Sequence, residues 1–104
     1  MARELVRVLG APLVALICDV HLKTVAPWTN GTRPRVEQET RLRNTLRAVR
    51  KLQRSGEDNR VIRAWFRGMN SYLDEESPAR AVQKEPRRVL EAAEAFIQSG
   101  HTSP

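Results

Sequence analysis

Residues 21–35 read HLKTVAPWTNGTRPR, and the placement of a helix in this stretch decides the fold. A short helix from about Leu22 to Thr29, ended by Asn30-Gly31 and followed by the loop Thr32-Arg33-Pro34-Arg35, would be the second arm of a helix-turn-helix. Pro27 sits inside it. If the helix starts at Leu22, Pro27 removes one backbone hydrogen bond and crowds the carbonyl of Lys23. If it starts nearer Thr24, that hydroxyl caps the first turn and Pro27 falls where a missing N–H costs little. Either register shortens the surface that could face a DNA groove.

Working outward, the periodicity is helical throughout, with no sustained alternation of apolar and polar residues. Before the opening stretch, Asp19-Val20-His21 forms a tight turn. The preceding helix is opened by Ala11-Pro12 and turns Leu13, Leu16 and Ile17 to the core. A first helix, Arg3 to Leu9, carries Leu5, Val6 and Leu9 and is stopped by Gly10. After the opening stretch comes the longest helix, about Val36 to Arg54. Leu42, Leu46, Val49 and Leu52 line one stripe of it, and Arg43, Arg47, Arg50 and Arg54 line another. Ser55-Gly56-Glu57-Asp58-Asn59 interrupts the chain. Beyond it the pattern predicts a helix from Arg60 to Gly68, a turn region from Asn70 to Glu76, and a short helix started by Ser77-Pro78. A last helix, opened by Pro86 and ended by Gly100, has Val89, Leu90, Ala93, Phe96 and Ile97 on its face.

Charge divides at the same interruption. Residues 1–56 carry a net +7 and residues 57–104 a net −1, within a chain of net charge +6. A basic first half attracts a polyanion, and a balanced second half has no such bias. The expected domains are therefore 1–56 and 57–104. Cys18 is the single cysteine, so no intrachain disulfide can form, which fits a reducing, cytoplasmic setting. The apolar run from Ala11 to Cys18 is too short to span a bilayer, so no membrane partner is expected.

Catalytic chemistry is not visible. Glu37/Glu39 lie in a charged helix, Asp74/Glu75/Glu76 in an exposed turn, and neither group has a neighbour that would shift its pKa. His21, His101 and Cys18 have no metal-ligand spacing, and no glycine-rich phosphate loop occurs. The expectation is a non-enzyme without cofactor or metal. The basic half offers a DNA-binding set instead. Lys23 and Thr24 lie on the outer face of the short helix, with Thr29 at its end. Thr32, Arg33 and Arg35 follow as phosphate holders, and Arg43 and Arg47 extend the footprint. The plain alternative is a solvated arginine face. In the second half Trp65, Phe66, Met69, Tyr72 and Leu73 fall within nine residues. They read either as core or, with the final helix, as a surface for another protein.

The order W-F-R-G-M-N-S-Y-L, then S-P-A-R-A-V, then R-R-V-L-E-A-A-E-A-F resembles the toxin-binding domain of the Xre/MbcA/ParS-type antitoxins, through Trp65, Asn70, Leu73, Ser77-Pro78 and Val89 to Ile97. The first half is similar to the Xre-type helix-turn-helix that precedes that domain, through Thr24-Val25, Trp28, Gly31 and Pro34. The chain departs from the family in having Pro27 before the tryptophan, Tyr72 in the turn, and no glycine after Leu73. The resemblance implies an all-α fold, an N-terminal helix-turn-helix bundle joined by a long helix to a small toxin-binding domain. It also implies a type II antitoxin that neutralises a NAD-consuming RES-domain toxin and represses its own operon. The implied toxin-binding residues are Trp65, Met69, Asn70, Tyr72, Leu73, Phe96, Ile97, Gly100 and His101, with about Phe96 to Pro104 as the blocking element. The implied partners are the toxin and operator DNA, in a homodimer or a toxin–antitoxin hetero-oligomer. A different reading of the same residues is a stand-alone helix-turn-helix regulator whose second half only dimerises.

Overall fold

Glycine and proline punctuation sets the helix ends in the computed structural model, which describes residues 1–100. The described residues form seven α-helices and no strand: α1 Ala2–Leu9, α2 Ala11–Cys18, α3 Leu22–Thr29, α4 Val36–Arg54, α5 Asn59–Arg67, α6 Pro78–Ala81 and α7 Pro86–Gly100. A 3₁₀ turn, Ser71–Leu73, lies between α5 and α6. None of these helices is long and apolar enough to cross a membrane.

A single residue joins α1 to α2. Gly10 ends the first helix, its N–H bonding the Val6 carbonyl at 2.8 Å, and begins the second. Its backbone lies at φ 88° and ψ 148°, a region that side chains with a Cβ avoid. Pro12 then occupies the first turn of α2, where it forfeits no helical hydrogen bond.

Asp19 closes α2 in the left-handed region, at φ 55°, a conformation Asp tolerates better than most residues. The Val20 N–H reaches back to the Ala15 carbonyl at 3.1 Å, the bond pattern of a Schellman end. The turn then delivers His21 as the N-cap of α3, its Nδ1 accepting from the Lys23 N–H at 3.1 Å. Between the two registers open in the sequence, α3 starts at Leu22, and Pro27 lies inside the helix. Pro27 has no N–H to offer the Lys23 carbonyl, and the helix ends two residues later, with the Asn30 and Thr32 N–H groups both bonding the Pro27 carbonyl at 3.0 Å.

The core corrects two helix faces. In α1 it is Val8, with Leu5 and Leu9, that is fully buried, while Val6 packs only at the margin. In α2, Leu13, Val14, Ile17 and Cys18 are buried, whereas Leu16 stays 36% exposed. The cause is that α2 touches α1, α3, α4 and α6, so most of its circumference is covered and only a narrow strip remains. In α4, Leu42, Val49 and Leu52 are buried as the stripe implies, joined by Ala48 and Thr45. Thr45 is tolerated there because its hydroxyl donates to the Arg41 carbonyl at 2.7 Å, leaving no unpaired donor.

The interruption is a loop over residues 55–58, with Asn59 already in α5, but not a break in the core. Packing of α4 on α7, α1 on α5 and α2 on α6 crosses it, and one apolar cluster includes Leu5, Ile17 and Leu42 together with Ile62, Phe66 and Val89. Replacement of Gly10 by alanine places a Cβ in the disallowed region at the first joint. The expected result is a loss of about 1–3 kcal/mol of stability, measured as a lower urea midpoint at unchanged slope.

Candidate functional site

Two surfaces emerge from the residues singled out in the sequence. The first surrounds α3 and the start of α4. Lys23 and Thr24 are exposed in the first turn of α3, and Thr32, Arg33 and Arg35 are exposed after it. Thr29 differs: its hydroxyl donates to the Ala26 carbonyl at 2.7 Å, and its own carbonyl accepts from Arg3 Nη2 at 2.9 Å. It therefore closes α3 and ties it to α1.

The arginine stripe of α4 is not uniform. Glu39 gathers two cations, Arg33 at 3.3 Å and Arg43 at 3.9 Å, and Arg50 pairs with Glu4 at 3.0 Å. Arg54 turns back to the Arg50 carbonyl at 3.3 Å. Arg47 is exposed and has no ion pair among the described residues. Exposed pairs of this kind hold about 0–1 kcal/mol, so a phosphate could displace Glu39 from either partner at little cost. Arg41, which lies outside that stripe and which the sequence did not single out, is turned inward. Its Nη1 donates to the Cys18 carbonyl at 2.9 Å and caps the end of α2. Beside it the Cys18 thiol is pushed up to about 11 by burial, a rise that the Arg41 charge partly opposes. A thiol so raised remains protonated at neutral pH and is a poor nucleophile.

The second surface is a cleft of about 690 Å³ between α5, the 3₁₀ turn and α7, lined by Trp65, Met69, Tyr72, Phe96 and Ser99 among others. Trp65 is 9% exposed. Its ring meets Phe66 edge-on at 5.0 Å and Phe96 at 6.3 Å. Its indole Nε1 is buried without a hydrogen-bond acceptor among the described residues. Met69 is 81% exposed on the rim and Tyr72 43%, with the Tyr72 hydroxyl donating to Glu91 Oε1 at 3.4 Å.

The other named positions have different places. Asn70 caps the 3₁₀ turn, its Oδ1 accepting from the Tyr72 N–H at 2.9 Å, and it lines the cleft. Leu73 is 3% exposed: it is core beneath the turn and presents nothing to a partner. Ile97 packs against the core as a partly buried residue. Gly100 ends α7, and His101, with the rest of the tail, lies outside the described residues. Ala92 and Ala95 complete the wall; a small residue on an amphipathic helix carries no signal of its own in the sequence.

The rim is held in an unusual conformation. Asp74 and Glu75 both have positive φ, 57° and 70°, although neither is glycine. The Glu75 N–H bonds the Asn70 carbonyl at 2.9 Å. Arg88 clamps the same turn, donating to the Tyr72 carbonyl at 2.6 Å and to Asp74 Oδ2 at 3.3 Å. A left-handed residue with a Cβ costs roughly 1–2 kcal/mol, so the turn is retained against a local penalty. Glu75→Gly is expected to raise stability by about 1 kcal/mol, seen as a higher thermal midpoint. An unchanged or lower midpoint would show that the Glu75 side chain, not the clamp, holds the turn.

The Cys18 environment sets a pH limit. The folded thiol titrates near 11 against 9.0 for the free group, so folding favours the protonated form. Its contribution is complete below pH 9 and is lost as pH rises from 9 toward 11. Cys18→Ala is expected to flatten the alkaline decline in stability over that window. Equal declines in both proteins would rule out this source. Compared with known proteins, the chain matches no protein-family model, no curated protein and no solved structure.

Proposed function

We propose that the chain is a type II antitoxin. Its second half binds and neutralises a NAD-consuming RES-domain toxin, and its first half holds operator DNA. The observation that carries the toxin half is the aromatic cleft. Exposed Met69 and Tyr72 stand over Trp65 and Phe96, a composition typical of protein interfaces, and the cleft reaches Ser99 near the end of α7. The buried Trp65 Nε1 without an acceptor adds a donor that a partner's carbonyl could satisfy after a small shift of the wall. Trp65, Met69, Asn70, Tyr72 and Phe96 form the docking surface in this reading. Leu73 and Ile97 support it, and the segment beyond Gly100 enters the toxin.

The DNA half rests on the net +7 of residues 1–56 and the exposed first turn of α3. With Pro27 inside α3, the base-reading surface is confined to Lys23 and Thr24. Arg33, Arg35, Arg43 and Arg47 act on the phosphate backbone, which contributes affinity without sequence choice.

Two experiments test these roles separately. Co-expression with the RES-domain protein of the same operon is expected to give a stable complex in which toxicity is suppressed. Met69→Glu, at an exposed position, is expected to weaken that complex at least tenfold, about 1.4 kcal/mol, and truncation after Ser99 to leave binding but lose neutralisation. A Met69→Glu protein that binds like the parent would remove the cleft from the interface. Binding to the promoter across a salt series is expected to show a log–log slope of roughly −0.9 per phosphate contact. Lys23→Ala is expected to relax specificity by about 1–3 kcal/mol, and Arg33→Ala to weaken all sequences alike. A flat salt response would exclude the DNA role.

A further inference from the structure

We infer a third site, independent of the proposed function: a cleft for a small amphiphilic carboxylate at the corner between α1 and α2, where α5 packs across it. The cleft has a volume of about 350 Å³, at the small end of the roughly 300–1,000 Å³ usual for small-molecule sites. Its walls are the apolar side chains of Leu9, Pro12, Leu13 and Leu16. The 36% exposure of Leu16, unexpected for the helix face read from the sequence, is the exposure of a cleft wall.

The opposite side is cationic. Arg63 and Arg67 of α5 line the cleft, and residues four apart on a helix share a face. Arg63 is held in place, its Nε and Nη2 donating to the Val8 carbonyl at 3.2 and 3.1 Å. Because that acceptor is a carbonyl rather than a carboxylate, the guanidinium is positioned without its charge being neutralised. Arg67 is exposed and has no ion pair among the described residues. Among the described residues no acidic side chain lines the cleft. The first turn of α2 opens at the same corner without a side-chain cap, which adds potential of the same sign.

An apolar body with one carboxylate satisfies both sides. A neutral hydrocarbon leaves the guanidinium groups unused, and a hydrophilic anion leaves the apolar wall wet. Two other clefts lack this combination. The aromatic cleft has no cationic lining residue, and the cleft beside Trp28 includes Glu4. The ligand would also touch both halves of the chain, Leu9 to Leu16 on one side and α5 on the other.

The test uses the full chain and octanoate as the probe, with octanol and acetate as controls, followed through backbone amide NMR shifts. The expected result is saturable octanoate binding with shifts centred on Leu9, Gly10, Leu13, Leu16 and Arg67, and at least tenfold weaker binding of both controls. Arg67→Gln is expected to weaken octanoate about tenfold while leaving octanol unchanged. Leu16→Gln is expected to weaken both. Absence of saturable octanoate binding, shifts centred on Trp65 and Phe96 instead, or parental octanoate affinity in Arg67→Gln would each overturn the inference. None of these readouts depends on a toxin or on DNA, so failure here leaves the antitoxin reading untouched, and the converse holds.

Discussion

Burial of the apolar stripe of α4 is the constraint on which the other elements depend. Leu42, Ala48, Val49 and Leu52 are all removed from water, and α4 packs on α1 and α2 from the first half and on α5 and α7 from the second. A fully buried aliphatic side chain contributes about 1.5–3 kcal/mol, and α4 meets the apolar faces of helices from both halves of the chain. Helices of eight or nine residues, such as α1, α2, α3 and α5, are unstable in isolation. They persist because each has one side covered by α4 or by a helix that α4 holds.

Polar tethers then fix the angles at which the short helices meet. The carbonyl-rich ends of helices need donors, and here several come from distant sequence, Arg3 at the Thr29 carbonyl of α3 among them. Arg63 serves Val8 at the end of α1, Arg41 serves Cys18 at the end of α2, and Gln83 Nε2 serves Leu16 at 2.9 Å. Two of these donors belong to the second half and cap helices of the first. The same bonds that complete α1 and α2 therefore orient α5 and α6, and with them the turn that carries Met69 and Tyr72. The aromatic cleft and the exposed first turn of α3 sit on one small chain in this way without separate cores.

Much of this arrangement was legible in the sequence wherever punctuation is local. The end of α3 and the bounds of α4 follow from Asn30-Gly31, Pro34 and Ser55-Gly56, and Ser77-Pro78 marks the start of α6, because capping and proline geometry act within a few residues. The shared core was not legible. A charge shift at residue 56 suggested two units, but charge reports the solvated surface and says nothing about which apolar faces meet. Leu16 and Val6 were placed on the wrong face for a related reason: in a helix covered on several sides, periodicity no longer identifies one buried face. The inward turn of Arg41 and the clamp made by Arg88 depend on partners more than a dozen residues away. In the cleft, Trp65 and Met69 stood out as scarce large residues. That Leu73 lies beneath the turn rather than on it was decided by the left-handed Asp74 and Glu75, which the residue types alone do not announce.

One urea titration addresses the shared core directly, because the chain carries one tryptophan in each half, Trp28 and Trp65. Their two indole N–H resonances can be followed together by ¹H–¹⁵N NMR in the unaltered protein. With one core running across residues 55–59, both native peaks disappear at the same midpoint and with the same slope. Loss of the Trp28 peak at a lower urea concentration, while the Trp65 peak persists, would mean that the halves fold separately and would contradict a single core.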